Sequence, residues 1–167
     1  MIAEVSQQLE RKPDMIVCSV GGGGLLGGVM TGCKAVGWEG GKPEHRQVPG
    51  RRGLTPIEVP IVAVETSGAN CFYSSMALNT DWSGSFGVSD EVDIVTEENS
   101  VKIAHLKELT SKATSLAATS PSPGVVEMAL AWGGSVRCLS IPDEITMNTA
   151  CSFAGNVVIT HGIQSPN

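Results

Sequence analysis

The chain has 167 residues, of which 41% are hydrophobic and 17% charged, a composition typical of one globular domain. Its net charge of −6 argues against nucleic acid or an anionic membrane surface as a partner. The apolar runs are too short and too rich in glycine to span a bilayer, and no cationic stretch leads into an apolar one at the N-terminus, so we expect a cytoplasmic protein with no membrane partner.

The first residues are predicted to form a helix followed by a strand. Ala3 to Arg11 places Val5 and Leu9 on one helical face, and Pro13 ends the helix. Met15 to Val20 is a short apolar run that predicts a buried strand.

Four consecutive glycines, Gly21 to Gly24, separate this strand from a helix predicted to start near Leu25. Glycine permits the tight turn between the two elements. Without side chains, an anion can also approach several backbone N–H groups at the positive end of the helix. The pattern therefore predicts a phosphate-binding loop, and the alternative is a turn that serves only close packing of strand against helix.

The glycines also raise the question of a nucleotide site. Gly22 to Gly27 matches the dinucleotide pattern G-x-G-x-x-G. About twenty residues further on, however, the chain is polar between Gly40 and Arg52, with no strand that could end in a ribose-binding acid. No Gly-Lys-Ser/Thr follows the glycines, which excludes a P-loop. A dinucleotide-binding module stays open as a lesser alternative.

The helix after the glycines is predicted to bury a stripe of apolar residues and to end at Gly37. The stripe comprises Leu25, Leu26, Val29, Met30, Cys33 and Val36. Strand, glycine turn and helix form the first half of a βαβ unit. Glu39 to Glu58 has no periodicity and is predicted to be a long exposed loop with a cationic cluster.

Ile61 to Glu65 is a continuous apolar run, typical of a buried strand in a parallel sheet. Glu65 lies at its carboxyl end, where open α/β sheets bind ligands, so this carboxylate is a candidate site residue. The alternative is an acid at a strand end that faces water.

The second half is predicted to alternate helices and strands around turn-rich stretches, with Trp132 in the core. The predicted segments are a helix at Ala69–Leu78, turns at Asn79–Asp93, a short polar segment at Glu97–Leu109, a helix at Gly124–Trp132, a strand at Val136–Ile141, a helix at Asp143–Ala154 and a strand at Asn156–Thr160.

The cysteines and histidines are scattered, with no Cys-x-x-Cys pair and no spacing typical of a metal site. We therefore interpret the cysteines as reduced, buried small hydrophobes and the histidines as structural or surface residues. The cysteines are Cys18, Cys33, Cys71, Cys138 and Cys151.

Three blocks closely resemble, in matching order, the catalytic large domain of eukaryotic L-serine dehydratases (L-serine/L-threonine ammonia-lyases): PDMIVCSVGGGGLLGGVMTGCKAVGW, VPIVAVETSGANCF and LTSKATSLAA. These enzymes belong to the fold type II pyridoxal 5'-phosphate (PLP) group, related to the β subunit of tryptophan synthase. The resemblance implies an α/β fold with a three-layer, open, mainly parallel sheet. It covers Pro13 to about Phe153, so we expect residues 1–167 to be a partial large domain, with an atypical insertion at 39–58 and a divergent tail at 156–167.

The resemblance also implies site residues. The cofactor phosphate would be held by Gly21, Gly22, Gly23, Gly24 and Leu25, with Ser115 beside the PLP. A monovalent cation such as K⁺ would be held by Glu65 and by groups at Gly21, Ala69, Leu116 and Ala118. Cys71 stands where relatives often have serine.

The implied chemistry is β-elimination from L-serine or L-threonine, which yields a 2-keto acid and ammonia, in a homodimeric full-length enzyme. This chemistry needs a Schiff-base lysine, which the family carries in a Ser-Phe-Lys-x-Arg-Gly type motif. None of the six lysines here stands in such a motif: Lys12, Lys34, Lys42, Lys102, Lys107 and Lys112. We expect a middle piece of the enzyme that is inactive alone, and the alternative is a non-catalytic phosphate- or partner-binding relative.

Overall fold

The computed structural model describes residues 1–39, 59–80, 92–132 and 136–161, with side chains up to residue 155. Predictions for the loop at 40–58, the turns at 81–91 and the last residues, 162–167, lie outside these ranges. In chain order, the elements are α1 (Ile2–Gln8), β1 (Ile16–Ser19), α2 (Gly24–Ala35), β2 (Ile61–Thr66), α3 (Cys71–Asn79), β3 (Val92–Thr96), β4 (Lys102–Leu106), a 3-10 turn (Thr114–Leu116), α4 (Pro123–Ala131), β5 (Val136–Ile141) and α5 (Asp143–His161).

The principal sheet is parallel and has the strand order β1-β2-β5. Ile16 pairs with Ile61, which in turn pairs with Val136 on the other side. All three strands were predicted from their apolar runs, and the predicted α/β class is confirmed. Because all three run the same way, their carboxyl ends meet at one edge of the sheet, where the glycines and Glu65 lie.

The helices between these strands cover one face of the sheet. Cys18, Ala63 and Cys138 share a register row and are all buried on this face, in the same core as residues of α2, α3 and α4. Right-handed crossovers between strands that are added in one direction place their helices on the same face. The strand order β1-β2-β5 therefore explains why these helices lie on the same face of the sheet.

The opposite face carries apolar side chains that are open to solvent. Val17 is 65% exposed and Leu139 is 47% exposed. Within the described ranges, helices α2, α3 and α4 thus form a layer on one side of the parallel sheet. No helix in the described part is both long and apolar enough to cross a membrane.

The core confirms most of the predicted helical stripes. Trp132 is buried, as predicted, and Lys34 Nζ lies 5.7 Å from the centroid of its ring. Leu26 and Met30 are also fully buried, but Leu25, predicted in the same stripe, is 53% exposed. Leu25 lies in the first turn of α2, next to the glycines and at the end of the helix that faces solvent.

A β-hairpin was not predicted: β3 begins in residues predicted to be turns, and β4 lies within the predicted polar segment Glu97–Leu109. β3 and β4 pair antiparallel, and Ser100 turns the chain between them with a φ of 67°. The hairpin is held by α3: Ser75 Oγ accepts a 2.9 Å hydrogen bond from Ala104 N, and Asn79 bonds both backbone groups of Lys102. Such long-range partners decide strand formation more than intrinsic propensity does.

Two predictions near the C-terminus were also wrong. The predicted strand Asn156–Thr160 is helical, because α5 continues to His161 and no proline interrupts it. Cys151 is exposed on this helix, whereas the other four cysteines are buried as predicted.

Candidate functional site

The glycine loop, Gly21 to Gly24, leads from β1 directly into α2. Gly23 has a φ of 93°, a left-handed conformation that side chains other than glycine rarely adopt, and it is the N-cap of α2. The first helical hydrogen bond runs from Gly27 N to Gly23 O at 2.9 Å. The N–H groups of Gly24, Leu25 and Leu26 therefore have no intrahelical acceptor, and no side chain caps them. Such a helix end can bind an anion.

Packing explains some of these glycines and not others. A Cβ at Gly21 would lie 2.7 Å from the carbonyl oxygen of Leu116, and one at Gly23 would lie 3.1 Å from Val125 Cγ1. At Gly24 it would meet nothing within 4 Å, so the loop is open on that side. The packing alternative thus accounts for Gly21 and Gly23, while the open side of Gly24 leaves room for a ligand.

The segment Ser111–Ala118 contacts the loop on its closed side. Besides the contact of Leu116 with Gly21, a Cβ at Gly22 would lie 3.8 Å from Ala118 Cβ. Ser122 N, just beyond this segment, donates a 2.9 Å hydrogen bond to Gly22 O. Ser115 is exposed in the 3-10 turn, one residue before the Leu116 contact. The structure thus brings together the first and third sequence blocks.

Glu65 is buried at the end of β2 and is only 1% exposed, so the alternative of an acid facing water is wrong. Its two oxygens accept hydrogen bonds from the first turn of α3, at 3.0 Å from Phe72 N and 2.5 Å from Tyr73 N. Burial raises the pKa of Glu65 to about 8, and the two backbone hydrogen bonds only partly offset this rise. The buried carboxylate therefore lacks full compensation for its charge.

Cys71 connects Glu65 with the glycine loop. Its Sγ lies 3.8 Å from Gly21 O, to which the thiol donates. Burial, followed by the nearby charge of Glu65, raises the pKa of Cys71 to about 12, so the thiol stays protonated. Ala69 is buried in the turn between β2 and α3, where its N–H bonds Thr66 O at 2.9 Å. Of the residues predicted to hold the cation, Leu116 thus contacts Gly21 and Ala118 lies near Gly22, while Glu65 is linked to Gly21 through Cys71.

A polar network beside this region was not predicted. Thr66 Oγ1 donates to Ser111 Oγ at 2.7 Å, and Ser111 Oγ donates to Asp143 Oδ1 at 2.8 Å. The second oxygen of Asp143 accepts from Lys112 N at 2.6 Å. Asp143 could have been noticed as an acid in the first turn of α5, but its partners lie more than thirty residues earlier.

The profile of one protein family, described as pyridoxal-phosphate dependent enzyme, matches residues 1–163. The chain is also 40% identical over 76 residues to L-serine dehydratase/L-threonine deaminase of Mus musculus. This alignment covers 46% of this chain and 18% of the mouse protein. Identity is 36% over 76 residues with the serine dehydratase-like protein of Homo sapiens, covering 46% of this chain and 18% of that protein. With L-serine dehydratase of Dictyostelium discoideum, the identity is 34% over 79 residues, and the alignment covers 45% of this chain and 17% of that protein. The alignments thus span less than a fifth of each relative.

Proposed function

Because the chain belongs to the family of pyridoxal-phosphate dependent enzymes, we propose that its glycine loop binds the phosphate of PLP in an enzyme that deaminates L-serine or L-threonine. The observation that carries the proposal is the open helix N-terminus at Gly24, where backbone N–H groups have no acceptor and a Cβ would meet nothing within 4 Å. Its relatives, named as serine dehydratases and threonine deaminases, support these two substrates.

Several groups would hold the cofactor. The N–H groups of Gly22 to Leu25 would donate hydrogen bonds to the phosphate, and the dipole of α2 would favour its negative charge. Ser115 would lie beside the cofactor, on the segment that contacts the loop. When bound, PLP supplies the electron sink that permits β-elimination to a 2-keto acid and ammonia.

We also propose a monovalent cation, K⁺, next to Glu65. The other donors would be backbone groups of Gly21, Ala69, Leu116 and Ala118. The buried, incompletely compensated carboxylate supports this proposal, since a cation would offset the cost of burying its charge. Oxygen atoms are also the ligands that hard cations prefer.

The surroundings of Glu65 argue against the alternative of a dinucleotide-binding module. Glu65 ends the strand parallel to β1, where a ribose-binding acid would stand, but both its oxygens accept from amides of α3. The geometry therefore favours a phosphate site without a ribose site.

PLP should bind at least about tenfold more tightly than pyridoxal, which lacks the phosphate, a difference of about 1.4 kcal/mol. Because pyridoxal closes to an internal hemiacetal and reacts less readily with lysines than PLP does, the same comparison is made with pyridoxine 5'-phosphate and pyridoxine, which lack the aldehyde and so isolate the phosphate. Titration of the full chain, followed by absorbance and calorimetry, measures both dissociation constants. Inorganic phosphate should compete with PLP, and equal affinities for PLP and pyridoxal would contradict the proposal.

Adding L-serine to the PLP-loaded chain tests whether this chain is catalytic by itself. Because no lysine stands in the family's Schiff-base motif, we expect PLP to bind and no 2-keto acid to form. Formation of the keto acid, with one lysine labelled by borohydride reduction, would overturn this expectation.

A further inference from the structure

We propose that Asp143 is a positioning residue for the glycine loop. Through Ser111 and Lys112 it would fix the segment Ser111–Ala118, whose far end contacts Gly21. The inference rests on the proposed function of this loop as the PLP phosphate site.

The start of the segment Ser111–Ala118 is held at two places. Gly68 O accepts hydrogen bonds from Thr110 N at 3.0 Å and Ser111 N at 3.3 Å. A Cβ at Gly68 would clash with the backbone nitrogen of Ser111, so the two chain segments are in direct backbone contact. Asp143 provides the second attachment, from the start of α5.

Asp143 binds the segment with both oxygens. Oδ1 accepts from Ser111 Oγ at 2.8 Å, and Oδ2 accepts from Lys112 N at 2.6 Å. These bonds, led by the one from Lys112 N, hold the pKa of Asp143 below its ordinary value. Hydrogen bonds to an ionised carboxylate are stronger than those between neutral groups. The ionised carboxylate of Asp143 therefore strengthens its hydrogen bonds to the start of the segment.

Ser111 links Asp143 to the rest of the segment through further hydrogen bonds. Its Oγ accepts from Thr66 Oγ1 at 2.7 Å and from Ala113 N at 3.0 Å. The 3-10 turn follows at once, with Leu116 N bonded to Ala113 O at 2.9 Å. Leu116 then places its carbonyl oxygen against Gly21. A continuous series of bonds thus links Asp143 to the closed side of the glycine loop.

The test compares Asp143→Ala with Glu144→Ala, which removes the adjacent, exposed acid of α5. In the ligand-free full chain, Asp143→Ala should raise hydrogen exchange at the amides of Ala113, Leu116 and Ala117 about fivefold or more, the change expected when one hydrogen bond is lost. Glu144→Ala should leave these rates unchanged. A uniform rise over the whole chain would indicate only global destabilisation and would contradict the proposal.

PLP binding gives the second readout. Asp143→Ala should weaken PLP binding about fivefold or more and move the ³¹P chemical shift of bound PLP. Asp143→Asn should restore part of both, because its amide oxygen can still accept from Lys112 N. If Asp143→Ala fails to fold, Ser111→Ala breaks the same link and should give the same exchange and affinity changes.

The two proposals fail in different ways. If the unsubstituted chain shows no preference for PLP over pyridoxal, the proposed function fails, and hydrogen exchange still decides whether Asp143 orders the segment. If PLP binds but neither exchange at 113–117 nor the ³¹P signal responds to Asp143→Ala or Ser111→Ala, the positioning role is overturned.

Discussion

Gly21→Ala is expected to destabilise the protein by about 1–3 kcal/mol, the range for an added methyl group in a packed site. The new Cβ would lie 2.7 Å from the carbonyl oxygen of Leu116 and 3.2 Å from its carbonyl carbon. Both neighbours are backbone atoms, so the clash can be relieved only if the loop and the segment Ser111–Ala118 move apart. We therefore expect weaker PLP binding as well, and denaturant unfolding together with PLP titration measures the two effects.

Gly28→Ala is the matched control for this substitution. Gly28 lies within α2, is exposed, and a Cβ there would meet nothing within 4 Å. Alanine should stabilise the helix at this position by about 0.5–1 kcal/mol, because glycine loses more backbone entropy on folding. Equal free energies of unfolding for Gly21→Ala and Gly28→Ala would show that Leu116 does not pack against the loop as described.

Glu65→Ala should lower the free energy of unfolding by about 2–4 kcal/mol, since it leaves a cavity and two N–H groups without acceptors. Those groups are Phe72 N and Tyr73 N, in the first turn of α3. Glu65→Gln keeps the volume of the side chain and one accepting oxygen, so its loss should be smaller. Denaturant unfolding of the three proteins measures the difference, and an alanine variant as stable as the glutamine variant would contradict this role.

The stability of the protein should also depend on the titration of Glu65. Its pKa rises from 4.5 to about 8 on folding, because burial disfavours the charged form. The folded protein therefore binds this proton more tightly than the unfolded chain does. The resulting stability is present below about pH 4.5 and is lost as the pH rises through about 8. Between those values, Glu65→Gln should gain stability relative to the unsubstituted protein, and parallel pH profiles would contradict the assignment.

The proposed cation adds a control to the same experiment. Potassium beside Glu65 would favour the ionised carboxylate, so KCl should raise the melting temperature above that in choline chloride of equal ionic strength. The effect should be larger at about pH 9 than at about pH 5, because more of the carboxyl is ionised there. It should vanish in Glu65→Gln, and an equal response of both proteins would argue against a cation at this carboxylate.

Local features allowed the centre of the fold to be predicted from the sequence. The apolar runs at β1, β2 and β5 each predict a strand, and consecutive glycines between an apolar strand and an apolar helix indicate a tight turn from β1 into α2. The C-cap of α2 is Val36, one residue before the predicted Gly37, and Gly37 follows it with a positive φ of 72°. These features depend on neighbouring residues and hence can be recognised without tertiary information.

Long-range contacts explain what could not be predicted. Whether Glu65 is buried depends on the position of the α3 amides, and the hairpin β3–β4 depends on Ser75 and Asn79 of the same helix. Asp143 meets Ser111 across 32 positions of the chain. Each of these residues is polar and would pass for a surface residue until its partner is known.

If the backbone of the glycine loop binds the phosphate of PLP as proposed, amide NMR of the full chain should detect this binding residue by residue. Titration with PLP, and separately with inorganic phosphate, should shift the amide signals of Gly22, Gly23, Gly24 and Leu25 in a saturable manner. Pyridoxal should leave these signals in place. If phosphate and PLP bind without moving them, or do not bind at all, the glycine loop is a packing turn and the proposed site is wrong.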